Sequence, residues 1–210
     1  MTHSNQKIAG ALFFVGAVVA IMGIFLAEIF YPGYNVSSNF ISDLGAFCRT
    51  QGGQHVCQIN QPSSTIFNAS IFVFGVLALL GSYFAYRTFR NRLFTILLIL
   101  AGIGVTGVGI FPENVLGGTP HRIVSLMAFL FGGLAAIAAY RIERSPMTYF
   151  SVIMGVVTLV FLGFLGIMEG TASSNYLGLG VGGIERMVAY PLLLWVVGFG
   201  GYLMGSSQSS

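Results

Sequence analysis

Asp43, His121 and Glu185 have the clearest capacity for acid–base chemistry in this chain, and each lies where an apolar stretch begins or ends. Asp43 belongs to the run Asn39-Phe40-Ile41-Ser42-Asp43-Leu44-Gly45. A carboxylate there could act as a general base or hold a cation, with Asn39 and Ser42 as hydrogen-bonding neighbours. The same run also reads as the cap of a short interfacial helix, with Gly45 permitting the turn that follows. Ser42 as a nucleophile would need a base, and only His121 could serve.

Arg122 follows His121, and Arg186 follows Glu185, each pair opening an apolar stretch. A guanidinium beside the free N–H groups of a helix start suits a phosphate or carboxylate. Neighbours on a helix point about 100° apart, so Glu185 and Arg186 should not satisfy one another. Cross-helix pairs fit better: Arg122 with Glu185 or Glu169, and Arg186 with Asp43 or Glu28. Ionised groups at membrane depth cost a few kcal/mol unless paired or wet, so each is a site candidate. The competing reading is a ring of ion pairs pinning helices together, or arginines reaching outward to headgroups. The candidate ligand-binding set is Asn39, Ser42, Asn68, Arg122, Glu169 and Arg186, around a candidate catalytic set of Asp43, His121 and Glu185.

No cofactor is expected, and no metal ligand set is assigned. A single well-placed histidine is thin for zinc, and neither HExxH nor CxxC occurs. An oxygen-rich divalent cation site built from Asp43, Glu169, Glu185 and His121 stays open as an alternative. Cys48 and Cys57 enclose residues 49–56 of one polar loop and suggest a structural disulfide on an oxidising face. The alternative, a redox-active pair, would be better served by closer spacing and a second pair.

These residues need a scaffold, and the composition specifies its kind. Of 210 residues, 55% are hydrophobic and only 7% charged, with a mean hydropathy of +0.85; soluble domains carry about 25% charged residues. Six apolar windows, 8–30, 64–86, 93–111, 121–140, 148–168 and 185–204, each reach the length a helix needs to cross about 30 Å of hydrocarbon. The alternating segments of about ten residues that a β-barrel requires are not visible. The chain reads as one six-helix transmembrane domain over 1–205, with 206–210 a tail of non-native character. Lys7 precedes a window too long for a signal-peptide core, so the first helix reads as retained.

Charge placement gives an orientation. Lys7, Arg87, Arg90, Arg92, Arg141 and Arg144 fall on one side with Glu143 as the only acid, a balance of +5. Arg49, Arg122 and Arg186 fall on the other with five acids, a balance of −2. The basic side is expected in the cytoplasm with both termini, at the cell membrane, and loops 31–63, 112–120 and 169–184 outside. That places the cysteines where a disulfide persists. The pI of about 9.0 thus reflects topology, not nucleic-acid binding; the expected partners are membrane lipids.

Weak repetition suggests three hairpins. Gly23-Ile24-Phe25, Gly109-Ile110-Phe111 and Gly166-Ile167-Met168 each end an outward-running window near an acid. Phe72-Val73-Phe74-Gly75 is echoed by Phe129-Leu130-Phe131-Gly132. Gly132-Gly133 and Gly198 with Gly200-Gly201 offer seams for close helix contact. Pro191 would free the carbonyl of Met187 and bend the last helix.

The Asn39–Gly45 run, Phe67-Asn68, Gly109-Ile110-Phe111-Pro112 and His121 resemble the family catalogued as domain of unknown function 998. These are prokaryotic, often archaeal, membrane proteins of about six helices. The resemblance covers nearly the whole chain, implies that fold, and supplies no activity; Pro112-Glu113 stands where that family would have Pro-Asp. The Ile41-Ser42-Asp43 element also resembles a eukaryotic group of membrane proteins, some of which act in lipid remodelling or trafficking.

The expected architecture is therefore an all-α integral membrane protein of six transmembrane helices, with three hairpins and a disulfide-stapled outer loop. Two functions fit it. One is binding or processing of a lipid headgroup or other anionic amphiphile at the outer leaflet. The other is a small-solute transporter, or a structural subunit in which the same charges form an interhelix clamp. The span middles lack charged residues, which argues against an ion or proton pathway. No motif decides whether the chain is an enzyme.

Overall fold

The computed structural model describes residues 2–51, 54–169 and 177–206. Six helices account for most of them: α1 Thr2–Ile29, α2 Ser63–Phe89, α3 Arg92–Ile110, α4 Thr119–Ala138, α5 Met147–Glu169 and α6 Gly180–Ser206. All six are long and apolar enough to cross a membrane, and the protein is a multi-pass membrane protein. In lipid the backbone has no outside partner, so the chain bonds to itself along each helix. Helix starts are marked locally. Asn91 accepts from the Phe94 N–H at 3.2 Å to open α3, and Pro120 sits in the first turn of α4 after a left-handed Gly118.

Each helix packs on the next in chain order and α6 returns to pack on α1, while α4 also touches α6 directly, so that α5 lies outside the ring of α1, α2, α3, α4 and α6 that walls the central cavity. Small residues line the inside: Ala9, Ala17, Ala20 and Ala27 of α1, and Ala135 and Ala136 of α4, are buried. Large apolar side chains such as Phe25, Ile96, Val160 and Ile167 point outward, where lipid tails replace a protein core. The ring closes where the backbones of α1 and α6 meet at Gly10 and Gly200. A Cβ on Gly10 would lie 2.7 Å from the Gly200 carbonyl oxygen, and one on Gly200 would lie 2.7 Å from that of Gly10. Gly133 and Gly155 make a similar seam between α4 and α5. Helix α6 continues through Pro191.

At one end, here the loop end, residues 30–51 and 54–62 fold over the ring. A short 3-10 turn, Ser42–Leu44, is followed by an antiparallel hairpin of β1 Phe47–Gln51 and β2 Gln54–Gln58. Cys48 faces Cys57 across the ladder, and the two form the disulfide. At the opposite, basic end lie Lys7, Arg87, Arg90, Arg92, Arg141 and Arg144, all exposed.

Candidate functional site

Within the ring is a cavity of about 110 Å³ whose wall is almost wholly apolar. Phe13, Phe74, Leu98, Phe129, Trp195 and Phe199 surround its body. Among the described residues, polar side chains enter only from Ser42, His121, Ser125 and Glu185, which belong to the loop end. The volume approaches the ~150 Å³ of dry apolar cavities that admit a benzene-sized molecule. One ring or a short stretch of chain fits; a whole lipid does not.

Glu185 and His121 come together here because α4 and α6 both start at the loop end. Glu185 is buried, and its Oε2 accepts from the Ile41 N–H, with the Ser42 N–H also directed at it. The carboxylate thus caps the turn that carries Asp43. His121 is 5% exposed, its Nδ1 lying 2.9 Å from the Phe111 carbonyl oxygen and its Nε2 3.3 Å from Ser125 Oγ. The Phe111 carbonyl can only accept, so Nδ1 carries the proton and Nε2 is left as an acceptor.

Asp43 is buried beside this site and does not line the cavity. Its Oδ2 accepts from Asn39 Nδ2 and from the Phe40 N–H, both at 3.0 Å. Burial pushes its carboxyl above the usual range, against the opposing pull of those two hydrogen bonds. The geometry is that of a loop cap. Asn68 donates to Ser64 Oγ at 3.2 Å and lies against Gly45, again beside the cavity and outside its lining.

Both terminal nitrogens of Arg186 are occupied. Its Nη1 donates to the carbonyls of Val36 (2.9 Å), Gly182 (3.0 Å) and Asn39 (3.2 Å). Its Nη2 donates to Glu28 Oε1 and to the Tyr34 hydroxyl, both at 2.7 Å. Tyr34 passes its own proton to the Phe40 carbonyl at 2.9 Å, and burial keeps that hydroxyl protonated well beyond its ordinary range. Of the two partners expected for Arg186, Glu28 is the one that pairs. The loop is pressed close enough to α6 that the Gly182 N–H donates to the Ser37 carbonyl at 2.9 Å, and a Cβ on Gly182 would lie 2.6 Å from the Val36 carbonyl oxygen.

The expected pairing of Arg122 with Glu185 does not form. Arg122 is exposed in a shallow recess with Cys48, Glu113, Gly117 and Gly118, whereas Glu185 turns inward. The reason is the 100° between successive helix positions: His121 faces the axis, so Arg122 cannot. The side chain of Glu169 lies outside the described residues, and with it the Arg122–Glu169 alternative. Among the described residues no three His, Cys, Asp or Glu side chains gather as a metal ion would require.

Five participants were not singled out from the sequence. Tyr34 and Ser125 complete the loop-end networks. At the basic end, Glu143 and Trp195 are linked through Ser151. Glu143 is the lone acid among that end's cations, a signal the charge count contained without interpreting it.

A family model described as "Protein of unknown function (DUF998)" matches residues 14–202 of the chain. No curated protein and no solved structure matches it.

Proposed function

The chain belongs to that family of unknown function, and from its own geometry we propose that it binds an amphiphile drawn from the outer leaflet. The apolar end of the ligand occupies the central cavity. Its polar end meets Ser42, His121, Ser125 and Glu185. The observation that carries this reading is the polarity of the cavity, apolar throughout and hydrogen-bonding only beneath the loop end. The charge balance across the two ends supports a cytoplasmic basic end, so that the mouth faces outward at the cell membrane.

The hydrogen bonds of Arg186 narrow the ligand class. With both terminal nitrogens bonded within the protein, Arg186 does not present its fork to a phosphate, and Arg122 stands outside the cavity. The group recognised is therefore a hydroxyl, amide or other hydrogen-bonding function, and an anionic headgroup would sit at the rim near Arg122. Glu185 and the Ser125 hydroxyl, whose own proton goes to His121 Nε2, both offer acceptors, which favours a ligand that donates.

The test is native mass spectrometry of protein extracted in mild detergent. The parent is expected to retain a defined amphiphile that Ala189→Trp, which fills the cavity, does not. The same mixed lipids on both proteins would refute the reading. A second reading, the interhelix clamp, is favoured by Arg186 joining α1, α6 and the loop. On that view the cavity is a packing defect, and the loop end is architecture for a larger assembly.

A further inference from the structure

Glu143 lies at the basic end, after the turn Ala139–Arg141 and before α5. The cations around it are exposed, yet its side chain is only 8% exposed. Its Oε1 accepts from Ser151 Oγ at 2.9 Å, while its Oε2 is buried with no hydrogen-bond partner among the described residues. Ser151 is fully buried and accepts in turn from Trp195 Nε1 at 2.9 Å. An indole N–H can only donate, so the direction is fixed: Trp195 to Ser151 to Glu143. Trp195 stacks on Phe199, with ring centroids 5.4 Å apart, and forms part of the cavity wall.

A carboxylate with one buried, unpartnered oxygen carries a desolvation penalty that only a proton or a ligand relieves. Little around it offsets that penalty. Arg141 and Arg144 flank it in sequence with exposed side chains, the Nε of Arg141 bonded to the Tyr140 hydroxyl. From α5 it faces Ser151, and from α6 Trp195 through that serine. Tyr202 of α6 is nearby, its hydroxyl accepting from the Arg144 N–H, and Lys7 of α1 points to solvent. Burial raises the Glu143 carboxyl to about 7, and the Ser151 bond is the one opposing influence.

We propose that Glu143 is a proton-binding site of the basic end, and that its loading is relayed through Ser151 to Trp195 in the cavity wall. With the carboxylate charged, the serine hydroxyl is polarised and the indole bond strengthened; protonation relaxes both. The state of the cavity wall is thereby tied to the pH on the basic side. This holds whatever the cavity contains, so it does not depend on the amphiphile reading.

Trp195 is the chain's single tryptophan, so its fluorescence reports on this place alone. In detergent-solubilised protein, the emission of the parent should shift in one step centred near pH 7. The step should disappear in Glu143→Gln and in Ser151→Ala, and persist in Glu185→Gln and His121→Asn. A flat parent profile between about pH 5 and pH 9 would overturn the proposal. So would a step that survives Glu143→Gln, or one that is lost in Glu185→Gln or His121→Asn. If Glu143→Gln does not fold, Ser151→Ala decides the relay: a surviving step refutes it.

Discussion

Arg186 joins more of the molecule than any other side chain among the described residues, because its planar fork reaches three backbone carbonyls, a carboxylate and a phenol at once. Replacing it with alanine leaves Glu28 largely buried and unpaired, together with several carbonyls lacking donors. Breaking a buried pair from one side costs about 3 kcal/mol or more, so Arg186→Ala should melt well below the parent. Arg186→Lys should recover only part of this, since a point charge cannot serve both edges of the site. Thermal unfolding of both variants in one detergent checks the order. The sequence narrowed the partner of Arg186 to Asp43 or Glu28, because these charges fall at the same end of the hydropathy pattern; the fold selects Glu28. Tyr34 and the Val36 and Asn39 carbonyls were not legible, since they arrive by the fold of an irregular loop. Glu143 gives a prediction of opposite sign. Its folded value of about 7 lies above the ordinary 4.5. The stabilisation it confers is therefore full below about pH 4.5 and is lost as pH rises through 7. Above that pH the folded state holds a buried charge. Glu143→Gln should melt higher than the parent at pH 8 and no higher at pH 5.

Among the elements, the helices were the most legible and their ends the least. Runs of apolar residues long enough to span the bilayer are hard to misread. However, α1 begins at Thr2, not 8, and α6 at Gly180, not 185. Helices continue past the hydrocarbon into polar or glycine-rich sequence, where hydropathy gives no sign of them. The β1–β2 hairpin depends on the disulfide more than on packing, because an isolated two-stranded ribbon is marginal in water. Closing so short a loop constrains the unfolded chain by about 2–3 kcal/mol. Reduction, or Cys48→Ser with Cys57→Ser, should make residues 47–58 sensitive to protease and leave the helical melt nearly unchanged. Limited proteolysis alongside circular dichroism separates the two effects. The α1–α6 seam responds differently. At Gly200 any side chain meets the Gly10 carbonyl and the Phe14 N–H, each 2.7 Å from its Cβ. Overpacking of this kind costs about 1–3 kcal/mol. Gly200→Leu should therefore lower the melting point of the whole bundle, since it opens the contact that closes the ring.

For the whole molecule, the closed ring explains why a cavity exists and why the sequence concealed it. In water an apolar stripe marks the face a helix turns to its neighbours. In lipid each helix is apolar all round, so the Phe74 that lines the cavity and the Phe25 that faces outward look alike in sequence. Among the polar exceptions, Glu185 and His121 turn inward at the loop end. What the cavity does can be tested by filling it. Ala189 is in its wall and 7% exposed, so Ala189→Phe places a ring in the empty space. An unfilled void weakens a core in proportion to its volume. The variant should accordingly melt at or above the parent in delipidated detergent. Adding amphiphile should then part the two proteins. A ligand at about 100 times its dissociation constant stabilises the protein that binds it by about 2.7 kcal/mol. The parent should gain several degrees on addition of membrane lipid extract, and Ala189→Phe should gain little. Equal gains would mean that lipid acts on both as solvent around the ring, and the loop-end polar groups would then belong to the clamp alone.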